Sequence, residues 1–418
     1  MKMSRFLQQA IEISLVIPLL VGCASSTTAP ALPTPLSQTT QADQSGQTTG
    51  QPGQPAQQNN PPALDPAQTS VLNFIQTLQV TPDAEFLTGS FARIHYVPAT
   101  DHFVVTFGTK ASTQAGVCNG TGYAYKEYNM EMQETGNSGH LIWYENACEA
   151  GDSGSVMVDN NLYYALVPQE PGQSNSWHLL KIDATNWTTL IDIYFPVDYP
   201  EAETIWDPMV AFVNGQLDIS SDYNVSGEVP DSETPAGTYG TYHYFFSPDL
   251  QFQRRLILTE PPHIMGSYMV YLEGIYYLVT ADRYDGDVLL AKYDTDWRYL
   301  GGKTLIEQAH FSTGLVYDDQ RFYLAYTDTS QRSEVGFFPV SLNIHLAAFD
   351  RDWNLLEDVA VTNYAPQDGL QPGRPWVTLH DNRLYVSYDM DTTDPVTREE
   401  HLQWQAYVSV YELVQGVP

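Results

Sequence analysis

Apolar and polar residues alternate in short runs along most of this chain, and the runs recur. Six stretches share one plan: ARIHYVPATDHFVVTFG, GSVMVDNNLYYALVP, DPMVAFVNGQLDISSD, SYMVYLEGIYYLVTAD, TGLVYDDQRFYLAYTD and RPWVTLHDNRLYVSYD. Each is a period-2 run, a tight polar turn, and a second run rich in Tyr, Val and Leu, which is the pattern of a β-hairpin. The second runs open on Phe103, Leu162, Leu217, Ile275, Phe322 and Leu384, spaced 59, 55, 58, 47 and 62 residues apart. A third run and often a fourth follow, as in Val288–Tyr293 and Lys303–Ile306. Strand repeats of this length are blades, so the pattern predicts an all-β, six-bladed β-propeller of four-stranded blades.

Three turns carry the same residues: Asp183 with Trp187, Asp294 with Trp297, and Asp350 with Trp353. The Asp closes the turn on local backbone, and the Trp is expected to pack between blades. The last copy ends at Tyr411, one strand short of a blade. Glu85–Thr88, just before the first copy, is the expected donor of the missing strand.

Strand direction sorts the connections. The turns after first and third strands are short, as at Asn214-Gly215 and Asp381-Asn382. The connections after second and fourth strands vary in length, at 109–121, 223–240, 329–341 and 390–400, and share the other face with the starts of the inner strands. Insertions in repeat folds gather on the binding face. The inner strands start at Arg93, Asp152, Trp206-Asp207-Pro208, His263, His310 and Arg374-Pro375-Trp376, which should ring the channel mouth. Four second strands end on Asp222, Asp282, Asp328 and Asp389. Arg93, Asp152, Trp206, Asp207, His263, His310, Arg374 and Trp376 are therefore the candidate ligand-binding set. Trp offers flat apolar faces, and Asp and Arg bond hydroxyls or carboxylates.

The first 66 residues read differently. Lys2 and Arg5 precede the apolar stretch 11–21, too short to span a bilayer, which ends in Leu20-Val21-Gly22-Cys23. That segment resembles the lipobox of bacterial lipoproteins. The resemblance implies a signal peptide over 1–22, acylation of Cys23, and an exported protein held on a bilayer at the cell surface or outer membrane. Residues 23–66, rich in Gln, Thr and Pro, cannot bury enough apolar surface to fold and read as a tether of ~35 Å average span. The folded domain is then 67–418. Asp65-Pro66 has the form of a helix start, and Val71, Phe74, Ile75 and Leu78 lie at helical spacing, so a short N-terminal helix is expected.

Charge excludes one class of partner. Loss of Lys2, Arg5 and Glu12 with the signal leaves 16 basic and 49 acidic residues, a net of −33. Nucleic acid binding needs a basic face, so it is not expected. The acidic excess reads as solubility through colloidal repulsion, as adaptation to a salty habitat or as divalent-cation binding, and the protein is expected to be a monomer. Cys118 and Cys148, the pair left after Cys23, are expected to form a disulfide in an exported protein. Asp282–Asp287 and Asp389–Asp394 place oxygen ligands at short spacing, but neither matches a known calcium loop, so no metal or cofactor is assigned and calcium stays as the alternative.

Trp206-Asp207-Pro208 resembles the Asp-Pro opening of inner strands in the five-bladed arabinanase and xylosidase glycosidases. There the Asp is the general base, which implies the same role for Asp207 in an alternative reading as a glycoside hydrolase. Arg93-Ile94 is similar to the opening Arg-Ile of sialidases, although the sialidase Asp-box spacing is absent. No catalytic set is complete in the sequence, so the first reading is non-enzymatic: a propeller binding a glycan or surface partner at its mouth.

The anchor has a direct test. Cys23→Ser should release the protein from membranes, because acylation of Cys23 is its expected attachment. Detergent phase partitioning measures this, and a variant that stays with the membrane would contradict the lipobox assignment.

Overall fold

The computed structural model describes residues 70–414 except 84, 113–118, 146, 148–150, 168–175, 198–207, 222–240, 261–266, 282–285, 330–332, 335–338, 341–342, 366–369 and 393–403; for 310–313, 333–334 and 339–340 it describes backbone alone. The anchor, the tether and all three cysteines lie outside these residues.

Every element among the described residues is a strand, and the first of them is β1 (Leu72–Gln79). Blade 1 is β2 (Ser90–Val97), β3 (His102–Lys110), β4 (Thr121–Tyr128) and β5 (Glu134–Tyr144). Blade 2 is β6 (Ser153–Val158), β7 (Asn161–Leu166), β8 (Ser176–Asp183) and β9 (Thr188–Pro196). Blade 3 is β10 (Met209–Val213), β11 (Gln216–Ser220), β12 (Thr241–Phe246) and β13 (Phe252–Leu258). Blade 4 is β14 (Tyr268–Leu272), β15 (Ile275–Ala281), β16 (Val288–Tyr293) and β17 (Tyr299–Ile306). Blade 5 is β18 (Ala309–Tyr317), β19 (Phe322–Asp328), β22 (Asn343–Phe349) and β23 (Leu355–Ala360), with the small hairpin β20 (Ser333–Glu334) and β21 (Pro339–Val340) inserted. Blade 6 is β24 (Gln371–His380), β25 (Arg383–Asp391), β26 (Trp404–Leu413) and, as its outer strand, β1.

The six-bladed propeller is thus as the repeat predicts. The inner strands β2, β6, β10, β14, β18 and β24 touch in that order, and β24 returns to β2. Cores form between neighbouring sheets, one of them joining Phe103 and Val105 of blade 1 to Tyr385, Val408 and Val410 of blade 6.

Two expectations for the N-terminal segment are corrected. The predicted helix is the strand β1. It pairs antiparallel with β26, Leu72 opposite Leu413 and Leu78 opposite Val408, with a bulge between Phe74 and Gln76. The bulge shifts the alternation by one residue, so apolar spacing in this strand imitates a helical stripe. The open edge of β26 needs a backbone partner, and that tertiary demand prevails over local pattern. Glu85–Thr88 is not the closing strand. It lies in the turn that follows, where Asp83 Oδ1 accepts the Glu85 and Phe86 N–H groups and Phe86 packs edge-on to Phe107 at 5.2 Å. The Glu357 carboxylate of blade 5 pins the start of β1 by accepting the Val71 and Leu72 N–H groups at 2.5 and 3.0 Å.

The turn between third and fourth strands is one device built five times. Asn129, Asp294 and Asp350 each accept the backbone N–H groups two and four residues on, at 2.8–3.1 Å. Asp183 and Ser247 make part of the same pattern. The residue at the close of the turn has positive φ in every case: Met132, Trp187, Leu250, Trp297 and Trp353, at 54–64°. Left-handed backbone is costly for bulky residues, and burial between sheets offsets it. Trp187 donates to Glu127 of blade 1, Trp297 packs on Phe245 of blade 3, and Trp353 on Tyr277 of blade 4. Trp353 is 1% exposed, and loss of such a ring from a core costs ~3–5 kcal/mol. The Asp–Trp expectation therefore holds in three blades, and Leu250 and Met132 extend it to turns with no Trp.

Closure yields a prediction. Deleting 70–80 removes the closing strand together with the buried side chains of Val71, Leu72 and Val80, each worth ~1.5–3 kcal/mol on burial. The melting temperature should fall sharply, whereas deletion of 24–60 should leave it unchanged. Equal melting of the two variants would refute β1 as the closing strand.

Candidate functional site

Register places the first-strand starts and second-strand ends on one face. Ser153 lies opposite Leu166, Met209 opposite Ser220, Ala309 opposite Asp328, and Gln371 opposite Asp391. The mouth is most irregular across three successive blades. β18, β24 and β2 each carry a bulge near their start, at His310/Gly314, Gly373/Trp376 and Ser90/Arg93. Bulges re-aim side chains. Here they put Phe91 and Arg374 at φ of 52° and 48°, backbone strain held in place by what these residues touch.

Asp389 of β25 is that anchor. It is 0% exposed, and its Oδ2 accepts the Phe91 N–H at 2.7 Å and Arg374 Nη1 at 2.8 Å. Burial pushes its pKa up, opposed by the Arg374 charge, the Phe91 and Arg374 hydrogen bonds and the charge of Arg93. Among the described residues no donor reaches its Oδ1. The Arg374 guanidinium, 23% exposed, lies 4.0 Å from the Phe91 ring centre and 4.5 Å from that of Trp404. Stacking on two rings and an ion pair together fix its plane.

Beside this group lies a layer of buried side chains. Arg93, 2% exposed, donates through Nη1 to the Arg374 carbonyl at 3.0 Å and sits 5.3 Å over Trp376. Trp376, 3% exposed, meets Tyr268 of blade 4 at 5.1 Å and His95 at 6.1 Å, both edge to face. Tyr268 is pushed up to about 12 by burial. His95 is lowered to about 3 by burial and then by Arg93, so it is a neutral imidazole, hydrogen-bonded to Ser155 Oγ at 2.9 Å.

The sequence-predicted residues divide accordingly. Arg93, Arg374 and Trp376 come together, Arg374 at the surface and the other two as its buried support. Asp152 stands beside β6 on the same face, its carbonyl accepting the Val167 N–H, and its charge helps raise the Tyr123 pKa after burial. His310 lies in bulged β18, its backbone opposite Thr327. Trp206, Asp207 and His263 fall outside the described residues, as do Cys118 and Cys148. No group suited to a metal occurs among the described residues. Phe91 and Trp404 were not legible as site residues, because only the bulge and the chain's return through β26 bring them to Arg374.

A second cluster also escaped the sequence. Asp218, His243 and Ser267 form a relay between blades 3 and 4: His243 Nδ1 to Asp218 Oδ2 at 2.9 Å, and Nε2 to Ser267 Oγ at 3.1 Å. It has the order of a nucleophile, base and orienting acid. However, its members are 0–1% exposed, and Thr241 Oγ1 contacts the same Nε2 at 3.0 Å. Ser220 Oγ locks the Ser267 backbone by donating to its carbonyl and accepting its N–H. A closed, fully bonded network of this kind joins two sheets.

No protein-family profile matches the chain, and no curated protein does. Among solved structures it is similar to the GH43 protein BlXynB from Bacillus licheniformis, at 11% identity over 62% of this chain and 52% of that one, TM-score 0.40. It is also similar to an α-L-arabinofuranosidase from Lactobacillus brevis, at 12% identity over 62% and 90%, TM-score 0.42. A third is the haemagglutinin-neuraminidase of parainfluenza virus 5, at 8% identity over 83% and 95%, TM-score 0.47. The chain spans about half the length of the first of these. Likeness of this degree assigns no activity.

If the buried relay is structural, Asp218→Ala should cost about 1–3 kcal/mol in urea denaturation by leaving His243 without its acceptor. Ligand binding at the mouth should not change. Labelling of Ser267 by a fluorophosphonate would overturn the structural assignment.

Proposed function

We propose that this chain is an exported propeller, anchored through Cys23, that binds a glycan or surface partner where blades 6 and 1 meet. The observation that carries the reading is the Arg374 guanidinium held between Phe91 and Trp404 on strained backbone over buried Asp389. Strain of this kind persists only where surrounding contacts impose it, and it gathers at sites that bind. The group joins apolar ring faces to a fixed planar donor, the combination that suits a sugar or a carboxylate-bearing ligand. In a chain of net charge −32 a partly exposed cation at the mouth is a local exception, and it favours neutral polar or anionic ligands over cations. The glycosidase alternative depends on Asp207, outside the described residues, and no observation at the mouth favours it.

A glycan array tests the reading. Arg374→Lys keeps a cation over Asp389 but loses the planar fork and its stacking. Array signal should fall about 10-fold with the melting temperature largely kept. An array with no signal for the parent protein would remove the glycan reading.

A further inference from the structure

We propose that Asp389 Oδ1, Gly373 and Arg374 form a subsite for two adjacent hydroxyls of a pyranose ring. The inference rests on the glycan reading above and gives it a specific recognition chemistry.

Three observations support it. First, Asp389 is fully buried, yet only Oδ2 is used: Phe91 and Arg374 both donate to it, and no donor among the described residues reaches Oδ1. A buried carboxylate oxygen without a donor is costly, and folded proteins rarely leave one. Second, Gly373 lies directly opposite Asp389 in the β24–β25 ladder. Paired residues project to the same face of a sheet, so the side chain that Gly373 lacks is the one that would stand beside this carboxylate. A Cβ built there meets Asp389 Oδ1 at 3.5 Å and nothing else within 4 Å. Gly373 is itself partly exposed, so the approach to Oδ1 lies on its side. Third, the next residue is Arg374, whose guanidinium marks the other side of the approach.

The chemistry follows from donor and acceptor count. A carboxylate oxygen only accepts, so its partner must donate; a guanidinium only donates, so its partner must accept. Adjacent hydroxyls of one sugar do both, one donating to Oδ1 and its neighbour accepting from the arginine. A donated hydrogen bond favours the charged carboxylate, offsetting the burial that raises the Asp389 pKa. A carboxylate ligand cannot donate to Oδ1, and a cation would face Arg374.

Gly373→Ala is the decisive variant. Gly373 does not have positive φ, and the added methyl makes an ordinary contact, so the fold should hold. The methyl occupies the space a hydroxyl oxygen needs to approach Oδ1 to ~2.7–2.8 Å. The full chain is titrated with methyl α-pyranosides of the gluco, galacto and manno series by saturation-transfer NMR. At least one should bind, and Gly373→Ala should weaken it by about 10- to 100-fold, the range for a hydrogen bond to a charged group. Mono-deoxy derivatives lacking either hydroxyl of the pair should lose a similar factor. Equal binding by parent and Gly373→Ala, equal binding of every deoxy derivative, or binding of no pyranoside overturns the subsite. An array signal reduced by Arg374→Lys but not by Gly373→Ala removes the subsite and leaves the mouth reading standing.

Discussion

A ring of sheets is stable only if its last sheet is complete, and here completion joins the two ends of the domain. β26 ends the described chain and β1 begins it, and their ladder from Leu72–Leu413 to Gln79–Tyr407 leaves blade 6 with the same four strands as the others. The contact is reinforced from blade 5, whose Glu357 takes the free N–H groups at the start of β1. Continuation through 80–89 adds to it: Val80 N–H bonds Ala406, Gly89 N–H bonds Trp404, and Lys126 of blade 1 pairs with Asp83. The position of Trp404, and so one wall around Arg374, depends on this closure.

The two faces of the disc solve different problems. On the turn face five blades use a side-chain acceptor of one kind and a left-handed closing residue, and the cost of positive φ is offset by packing of that residue. The mouth has no such uniformity. Its bulges fall in β18, β24 and β2, and strain there is held by polar groups, above all Asp389. Regularity on one face gives the disc its rigidity, and that rigidity lets the other face hold Phe91 and Arg374 in conformations they would not choose alone.

Buried polar groups bridge three of the junctions between blades. His95 bonds Ser155 across blades 1 and 2, the Asp218–His243–Ser267 relay joins blades 3 and 4, and Arg93 reaches the Arg374 carbonyl between blades 1 and 6. Sheet-to-sheet packing by apolar residues alone would tolerate sliding. Bonded polar groups at these seams favour one setting of the blades they join, because another leaves a buried donor or acceptor unmet.

The sequence by itself determined the architecture, because alternation and turn chemistry are local. The anchors Phe103 to Leu384 marked six hairpins, and Asp183, Asp294 and Asp350 marked the turns, without reference to any distant residue. Strand direction then identified the mouth, and Arg93, Arg374 and Trp376 did come together there. Tertiary structure decided the rest. The strand at 72–79 looked helical because a bulge shifts its alternation, and only the open edge of β26 makes it a strand. Phe91, Trp404 and Gly373 carry no local mark of a site; bulged backbone and ring closure bring them to Arg374 and Asp389. Burial separated the partly exposed guanidinium of Arg374 from Arg93 and Trp376 beside it, a distinction set by packing between sheets that no spacing along the chain encodes.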